Sequence, residues 1–187
     1  QPVREQLLEC ARLHETMAAE LADTIIQAAG VILEACRSGG KVLLCGNGGS
    51  AADCQHLAAE LVGRYKLERP GVPAVALTTD SSILTAVGND YGYEDIFRRQ
   101  VEALGRPGDV LIGISTSGGS QNVTAALKEA GKRRMKRIIL TGQKEGSMHR
   151  EADIVIAVPA KDTPRIQEAH ATIGHVLCDL VERGLFA

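Results

Sequence analysis

Two residues in one apolar stretch have the types and spacing that suit proton chemistry. His56 and Glu60 stand four apart in His56-Leu57-Ala58-Ala59-Glu60, so a helix there places them one above the other on the same face. Their neighbours Leu57, Ala58, Ala59 and Leu61 are apolar. Such a pair admits three readings: a surface pair, a buried hydrogen-bonded pair, or two ligands of a metal ion. A second polar set, Arg165, Gln167, Glu168, His170 and His175, lies near the end of the chain. On an ideal helix Gln167 and His175 are ~12 Å apart along the axis and about 80° apart in direction, so one metal ion cannot easily take both. Either Gln167 sits in an irregular first turn near Pro164, or the two side chains serve sites completed by different subunits. His170 shares a turn with Gln167 and can as easily bond locally. His14 is read as a packed or interfacial histidine, because no polar group of suitable chemistry is near it in sequence.

Two loops offer a place for a substrate. Cys45-Gly46-Asn47-Gly48-Gly49-Ser50 follows an apolar run and leads into the helix of His56 and Glu60. Gly46, Gly48 and Ala51 satisfy the G-x-G-x-x-A form of a dinucleotide fingerprint. The acidic residue that should follow about 20 positions on is missing, since Lys66 to Arg69 reads as a charged connection. Ser115-Thr116-Ser117-Gly118-Gly119-Ser120 opens another helix and crowds four hydroxyls at its N-terminus. Hydroxyls, backbone N–H donors and the helix dipole together cradle a phosphate monoester. No lysine of the P-loop type accompanies them, so a small sugar phosphate suits the loop better than a nucleoside triphosphate. Ser120 alone also reads as an ordinary N-cap.

These residues need a scaffold that brings loops to one edge. Apolar runs at Val42 to Cys45, Ala74 to Leu77, Val110 to Ile114, Arg137 to Leu140 and Ile154 to Val158 alternate with helical stretches. That alternation predicts an α/β fold with a doubly wound parallel sheet. Ligands then bind at the carboxyl ends of the strands. Pro164 reads as an early residue of a last helix running to about Gly184. Ahead of the first strand, Leu7, Ala11, Ala18, Leu21, Ile25 and Ile32 recur at three- and four-residue steps. They predict a long amphipathic helix to about Arg37, interrupted only at Gly30. Its apolar stripe is expected to pack against another subunit. One domain over 1–187 results, with residues 1–38 as a helical oligomerisation segment and 39–187 as the α/β core.

Composition narrows the partners. The chain has 187 residues, 44% of them hydrophobic, enough for one sizeable core. A formal net charge of -2 leaves no positive excess for a phosphate backbone, so no nucleic acid is expected. The basic run Lys132, Arg133, Arg134, Lys136 and Arg137 reads as solvated surface. Five scattered cysteines without a CxxC pair fit a reducing, cytoplasmic setting. No apolar run approaches the ~20 residues of a membrane span, so no membrane partner is expected. The start Gln1-Pro2-Val3-Arg4 lacks a signal-peptide pattern, and its missing initiator methionine is read as trimming. Lys66 to Pro70 receives no role from the sequence.

Taken in order, Cys45-Gly46-Asn47-Gly48-Gly49-Ser50, His56-Leu57-Ala58-Ala59-Glu60, Gly88-Asn89-Asp90, Gly113-Ile114-Ser115-Thr116-Ser117-Gly118 and Arg165-Ile166-Gln167-Glu168 strongly resemble the phosphoheptose isomerase family of sugar isomerase (SIS) domains. The resemblance covers nearly the whole chain. It implies a three-layer α/β/α sandwich with a five-stranded sheet. It also implies conversion of sedoheptulose 7-phosphate to D-glycero-D-manno-heptose 7-phosphate for bacterial surface heptose, including lipopolysaccharide precursors. The same resemblance implies one zinc per subunit at His56, Glu60, Gln167 and His175. Substrate contacts are implied for Asn47, Gly48, Gly49, Glu60, Asn89, Asp90, Ser115, Thr116, Ser117, Ser120 and Gln167, in a homotetramer with shared active sites. Asn89-Asp90 alone would pass as a turn signal.

Aldose–ketose isomerisation through an enediol needs a base at carbon and an acid or electrophile at oxygen. Glu60 is the expected catalytic base and His175 its partner acid. A carboxylate held by zinc is a weaker base, so the metal can instead belong to a resting or structural state. Two rivals use the same fold without turnover: a scaffold for the replication initiator protein, and a sugar-phosphate-sensing regulatory domain. Retention of both Glu60 and His175 argues for the enzyme.

Overall fold

The computed structural model describes all residues from Gln1 to Ala187. Two helices, α1 (Pro2–Glu20) and α2 (Ala22–Arg37), precede β1 (Val42–Gly46). The order continues with α3 (Gly49–Val62), β2 (Ala74–Ala76), α4 (Ser81–Asp90), α5 (Arg98–Leu104), β3 (Val110–Ser115) and α6 (Gln121–Lys132). It ends with β4 (Lys136–Thr141), β5 (Ile154–Ala157) and α7 (Thr163–Phe186). Short 3-10 turns occupy Tyr93–Asp95 and His149–Glu151. All five strands are parallel, in the order β2-β1-β3-β4-β5.

The period of two along each strand divides the core between the two sheet faces. Val42, Leu44, Ile112, Ile114, Ile138, Leu140 and Ile156 pack with α2, α3 and α7. Leu43, Cys45, Leu111 and Ile139 pack on the other side with Phe97, Val101 and the apolar face of α6. Both faces being covered, β1 and β3 are buried at every residue, which is why these strands read as continuous apolar runs. Chain progression reverses between β1 and β3, where Gly46 lies opposite Ile114. That switch point opens a crevice beyond the strand ends, and both loops singled out in the sequence leave from it.

The N-terminal segment departs from the expected single helix. It bends by 70° between α1 and α2, with Leu21 at the joint rather than Gly30. The two halves have different fates. α2 buries Ile25, Ala28, Ala29, Ile32 and Ala35 in the main core, so it is part of the α/β layer and not a separable arm. α1 buries only Met17 and leaves Val3 71% and Leu7 68% exposed. No single helix is long and apolar enough to cross a membrane.

Candidate active site

α3 and α7 carry the polar residues, and one glycine sets how closely the helices approach. A Cβ on Gly174 would collide with the Leu57 side chain. The absence of that Cβ lets Leu57 lie against the α7 backbone, and the residues beside the contact, His56 and His175, meet. Their Nε2 atoms are 2.7 Å apart and their rings stand edge to face at 76°. Glu60 Oε1 is 3.7 Å from His56 Nε2. The ligand-type atoms of His56, Glu60 and His175 all lie within 4.8 Å of one another. The site is open to solvent on one side, with the His56 side chain 47% and the Glu60 side chain 24% exposed. Of the three readings of the His56–Glu60 pair, full burial is therefore removed.

Gln167 is not part of this cluster within the chain. α7 is regular from Thr163 with Pro164 in its first turn, which closes the route through an irregular turn. The Gln167 amide instead lies against Gly49 at the start of α3, two helical turns before His56. α3 and α7 thus run side by side in the same direction, with Gln167 at the loop end and His175 at the Glu60 end.

At the crevice, Asn47 and Asn122 exchange two amide hydrogen bonds of 2.9 and 2.8 Å. Tyr93 donates its hydroxyl to Asn47 Oδ1 at 3.1 Å. In the hydroxyl-rich loop, Gly118 takes φ +65°, a conformation that favours glycine, and folds the segment back so that its hydroxyls converge. Ser115 Oγ is 2.8 Å from Ser120 Oγ and 3.3 Å from Ser117 Oγ. Ser120 stands at the N-cap position of α6 yet makes no capping bond, so the ordinary N-cap reading does not describe it. A cleft of about 440 Å³ adjoins Thr116 and Ser117 and is flanked by Lys144 and Lys161. Hydroxyls, a helix N-terminus and two ammonium groups make this end of the crevice suited to an anion.

The profile of the SIS domain family matches residues 7–142. A phosphoheptose isomerase from Geotalea daltonii is 53% identical over 98% of this chain and 96% of its own length. Two solved structures superpose over 97% of both chains. A phosphoheptose isomerase from Neisseria gonorrhoeae gives a TM-score of 0.92 at 45% identity, and one from Francisella tularensis gives 0.94 at 39%. The chain belongs to the phosphoheptose isomerase family of SIS domain proteins.

In this family member the remaining expected residues are distributed unevenly. Asn47, Gly48 and Gly49 line the first loop. Asn89 and Asp90 close α4, where Asn89 donates to Asp90 at 2.8 Å and both side chains are exposed. His14 donates from Nδ1 to the Cys10 carbonyl, 2.8 Å away, and its Nε2 lies 2.9 Å from Thr172 Oγ1, so both its nitrogens are engaged where α1 meets α7. His170 is fully buried, and neither ring nitrogen is hydrogen-bonded to another side chain. Burial pulls its imidazole down to about 4. In the basic run, Lys132 and Arg133 pair with Glu129, and Arg137 pairs with Asp153.

Several contributors carry no sequence signal of their own. Asn122 sits on α6, whose amphipathic pattern explains it equally well as surface. Tyr93 lies in a turn 46 residues from its partner Asn47. Tyr65 stacks on the His175 ring with centroids 5.8 Å apart. Asp53, one turn before His56, has a buried Oδ2 without a partner. Its carboxyl is raised by burial, and the nearby His56 opposes that rise. An acidic residue at that helical spacing from His56 was the one signal available in the sequence.

Two imidazoles and one carboxylate, half-open to solvent, are a donor set that suits zinc with a position left for water or substrate. His56, Glu60 and His175 would be the ligands of such an ion.

Proposed function

We propose that this chain interconverts sedoheptulose 7-phosphate and D-glycero-D-manno-heptose 7-phosphate, as expected from its family. The observation that carries the reading is the convergence of Glu60, His56 and His175 on one open point. Gly49 and His56 stand seven positions apart on α3, ~10 Å along the axis, so the loop end and the reacting end of the helix pair are distinct places. The phosphate is assigned to the Ser115–Ser120 loop, and the reacting carbons to the helix pair.

Glu60 takes the proton from C1 of the ketose, while His175 donates a proton to the C2 carbonyl oxygen. The electron pair of the broken C–H bond forms the C1–C2 double bond of the enediol. Return of a proton to C2, with loss of the hydroxyl proton at C1, yields the aldose. Base and acid are both general catalysts, a contribution of about 10²–10⁴-fold each.

One zinc per subunit belongs to this reading, held by His56, Glu60 and His175, with Gln167 reaching the site of a neighbouring subunit. Bound zinc supplies a Lewis-acid pole for a substrate oxygen while lowering the basicity of any carboxylate it holds. Association with further copies is supported by the exposed apolar residues of α1 and by an apolar cleft of about 360 Å³ between Met17, Ile25, Ile26, Val176 and Leu180, and the homotetramer itself is what the family resemblance implies. Five free thiols, three of them buried, suit the cytoplasm.

Incubation with sedoheptulose 7-phosphate in D₂O, followed by NMR, tests the reaction. Aldose product carrying deuterium at C2 is expected from an enediol whose proton exchanges with solvent. Binding without any product would point to a non-catalytic scaffold or a sensing domain instead.

A further inference from the structure

The connection that the sequence left without a role, residues 65–70, is held by one buried carboxylate. Glu182 lies two turns beyond His175 on α7. It accepts the backbone N–H groups of Tyr65, Lys66 and Leu67 at 3.0, 2.8 and 2.9 Å, and Arg69 Nε at 2.9 Å. Both side chains of the Glu182–Arg69 pair are 2% exposed. Burial alone would raise the Glu182 carboxyl, but the three N–H groups and the guanidinium outweigh it and draw it down to about 2.

Arg69 passes the connection on to α3. Its Nη2 donates to the carbonyl of Glu60 at 2.9 Å, and its Nη1 to the carbonyl of Leu61 at 2.7 Å. These belong to the last turn of α3, whose carbonyls lack helical partners. At the other end of the connection, the Tyr65 ring lies on the His175 imidazole at 5.8 Å and 30°. Lys66 reaches Asp179 at 2.9 Å and sits 5.0 Å over the same Tyr65 ring. One chain of contacts therefore runs from the His175 ring through Tyr65, Glu182 and Arg69 to the backbone of Glu60. A buried ion pair is a poor device for stability alone, since apolar replacements are often neutral. Four directed bonds on one carboxylate hold a geometry.

We propose that Tyr65 is a positioning residue that holds the His175 imidazole in its working orientation, and that the Glu182–Arg69 pair is the anchor that keeps Tyr65 and Glu60 in register. The inference rests on the isomerase reading above. A misplacement of about 1 Å in a reacting group costs on the order of 10²-fold in rate, which is the scale of effect available to such a residue.

The test uses the full chain with Tyr65→Ala, Tyr65→Phe and Glu182→Gln, measuring kcat and KM for sedoheptulose 7-phosphate together with ¹H–¹⁵N spectra of the histidine rings in metal-free protein. In Tyr65→Ala, kcat should fall about 30- to 100-fold with KM within threefold, and the His175 resonances should shift and broaden. Tyr65→Phe should restore both to within about threefold, because the ring rather than the hydroxyl makes the contact. Glu182→Gln should show the same kcat loss and the same spectral change. Unchanged kcat in Tyr65→Ala, a loss carried by KM, or equal loss in Tyr65→Phe overturns the inference, even if Glu182→Gln fails to fold. Should the unaltered protein not turn over the substrate, the isomerase reading fails, and the His175 spectra alone decide whether Tyr65 orients that ring.

Discussion

The two halves of the site are built in opposite ways. In the hydroxyl loop, Ser115 and Ser120 meet across five positions of sequence, so a local fold-back assembles the phosphate end. In the helix pair, His56 and His175 meet across 119 positions and Arg69 and Glu182 across 113, so only the packing of α3 on α7 assembles the reacting end. A loop of the first kind survives small movements of the surrounding helices. A cluster of the second kind does not, because each helix carries only part of the chemistry.

The largest expected effect falls on the chemistry of the helix pair. Glu60→Gln keeps the shape and removes the base, and kcat should drop about 10³-fold or more with the fold intact by circular dichroism. Full activity in a folded Glu60→Gln protein would remove Glu60 from its role. The comparison itself is sharpened by Gly174→Val set beside Ser115→Ala. Valine at position 174 must push Leu57 and spread the helices, at a cost of about 1–3 kcal/mol, and kcat should fall on the order of 10²-fold. Ser115→Ala should act chiefly on KM, by about tenfold, through the loss of one hydroxyl at the phosphate end. If both variants change the same kinetic constant, the two regions are not independent.

The smallest effect concerns His170, which stands on α7 between Gln167 at the loop end and His175 at the reacting end. Its imidazole is held near 4 by burial, below the ordinary 6.5 of the unfolded chain. Between these values the unfolded chain binds the extra proton, so stability falls as pH drops from 6.5 toward 4. The slope is at most about 1.4 kcal/mol per pH unit from this group. Urea unfolding at pH 7 and pH 5 should show that loss, and His170→Leu should reduce it.

Much of the scaffold was readable before the tertiary structure. The five apolar runs became the five strands with ends displaced by a residue, since a strand buried on both faces leaves little freedom in its composition. The serine loop was readable because several hydroxyls at one helix start have no common structural explanation. The N-terminal bend was not readable: Gly30 is the weaker helix former, yet the chain turns at Leu21, where α2 leaves α1 to enter the core between α7 and β5. Tyr65, Tyr93, Asn122 and Glu182 were equally hidden. Each is an ordinary surface residue by its local pattern, and each acquires its partner from an element far away in sequence.

From its residues alone, then, this chain declared its alternating α/β plan, its hydroxyl loop and the shared helical face of His56 and Glu60, all consequences of short-range periodicity and turn chemistry. The family resemblance already set His175 with His56 and Glu60; only the tertiary structure decided that Gln167 stays at Gly49 within the chain, and that a charged connection braces both helices. Those outcomes depend on how closely two helices pack. That distance is decided where a missing Cβ at Gly174 meets Leu57, and no local pattern contains it.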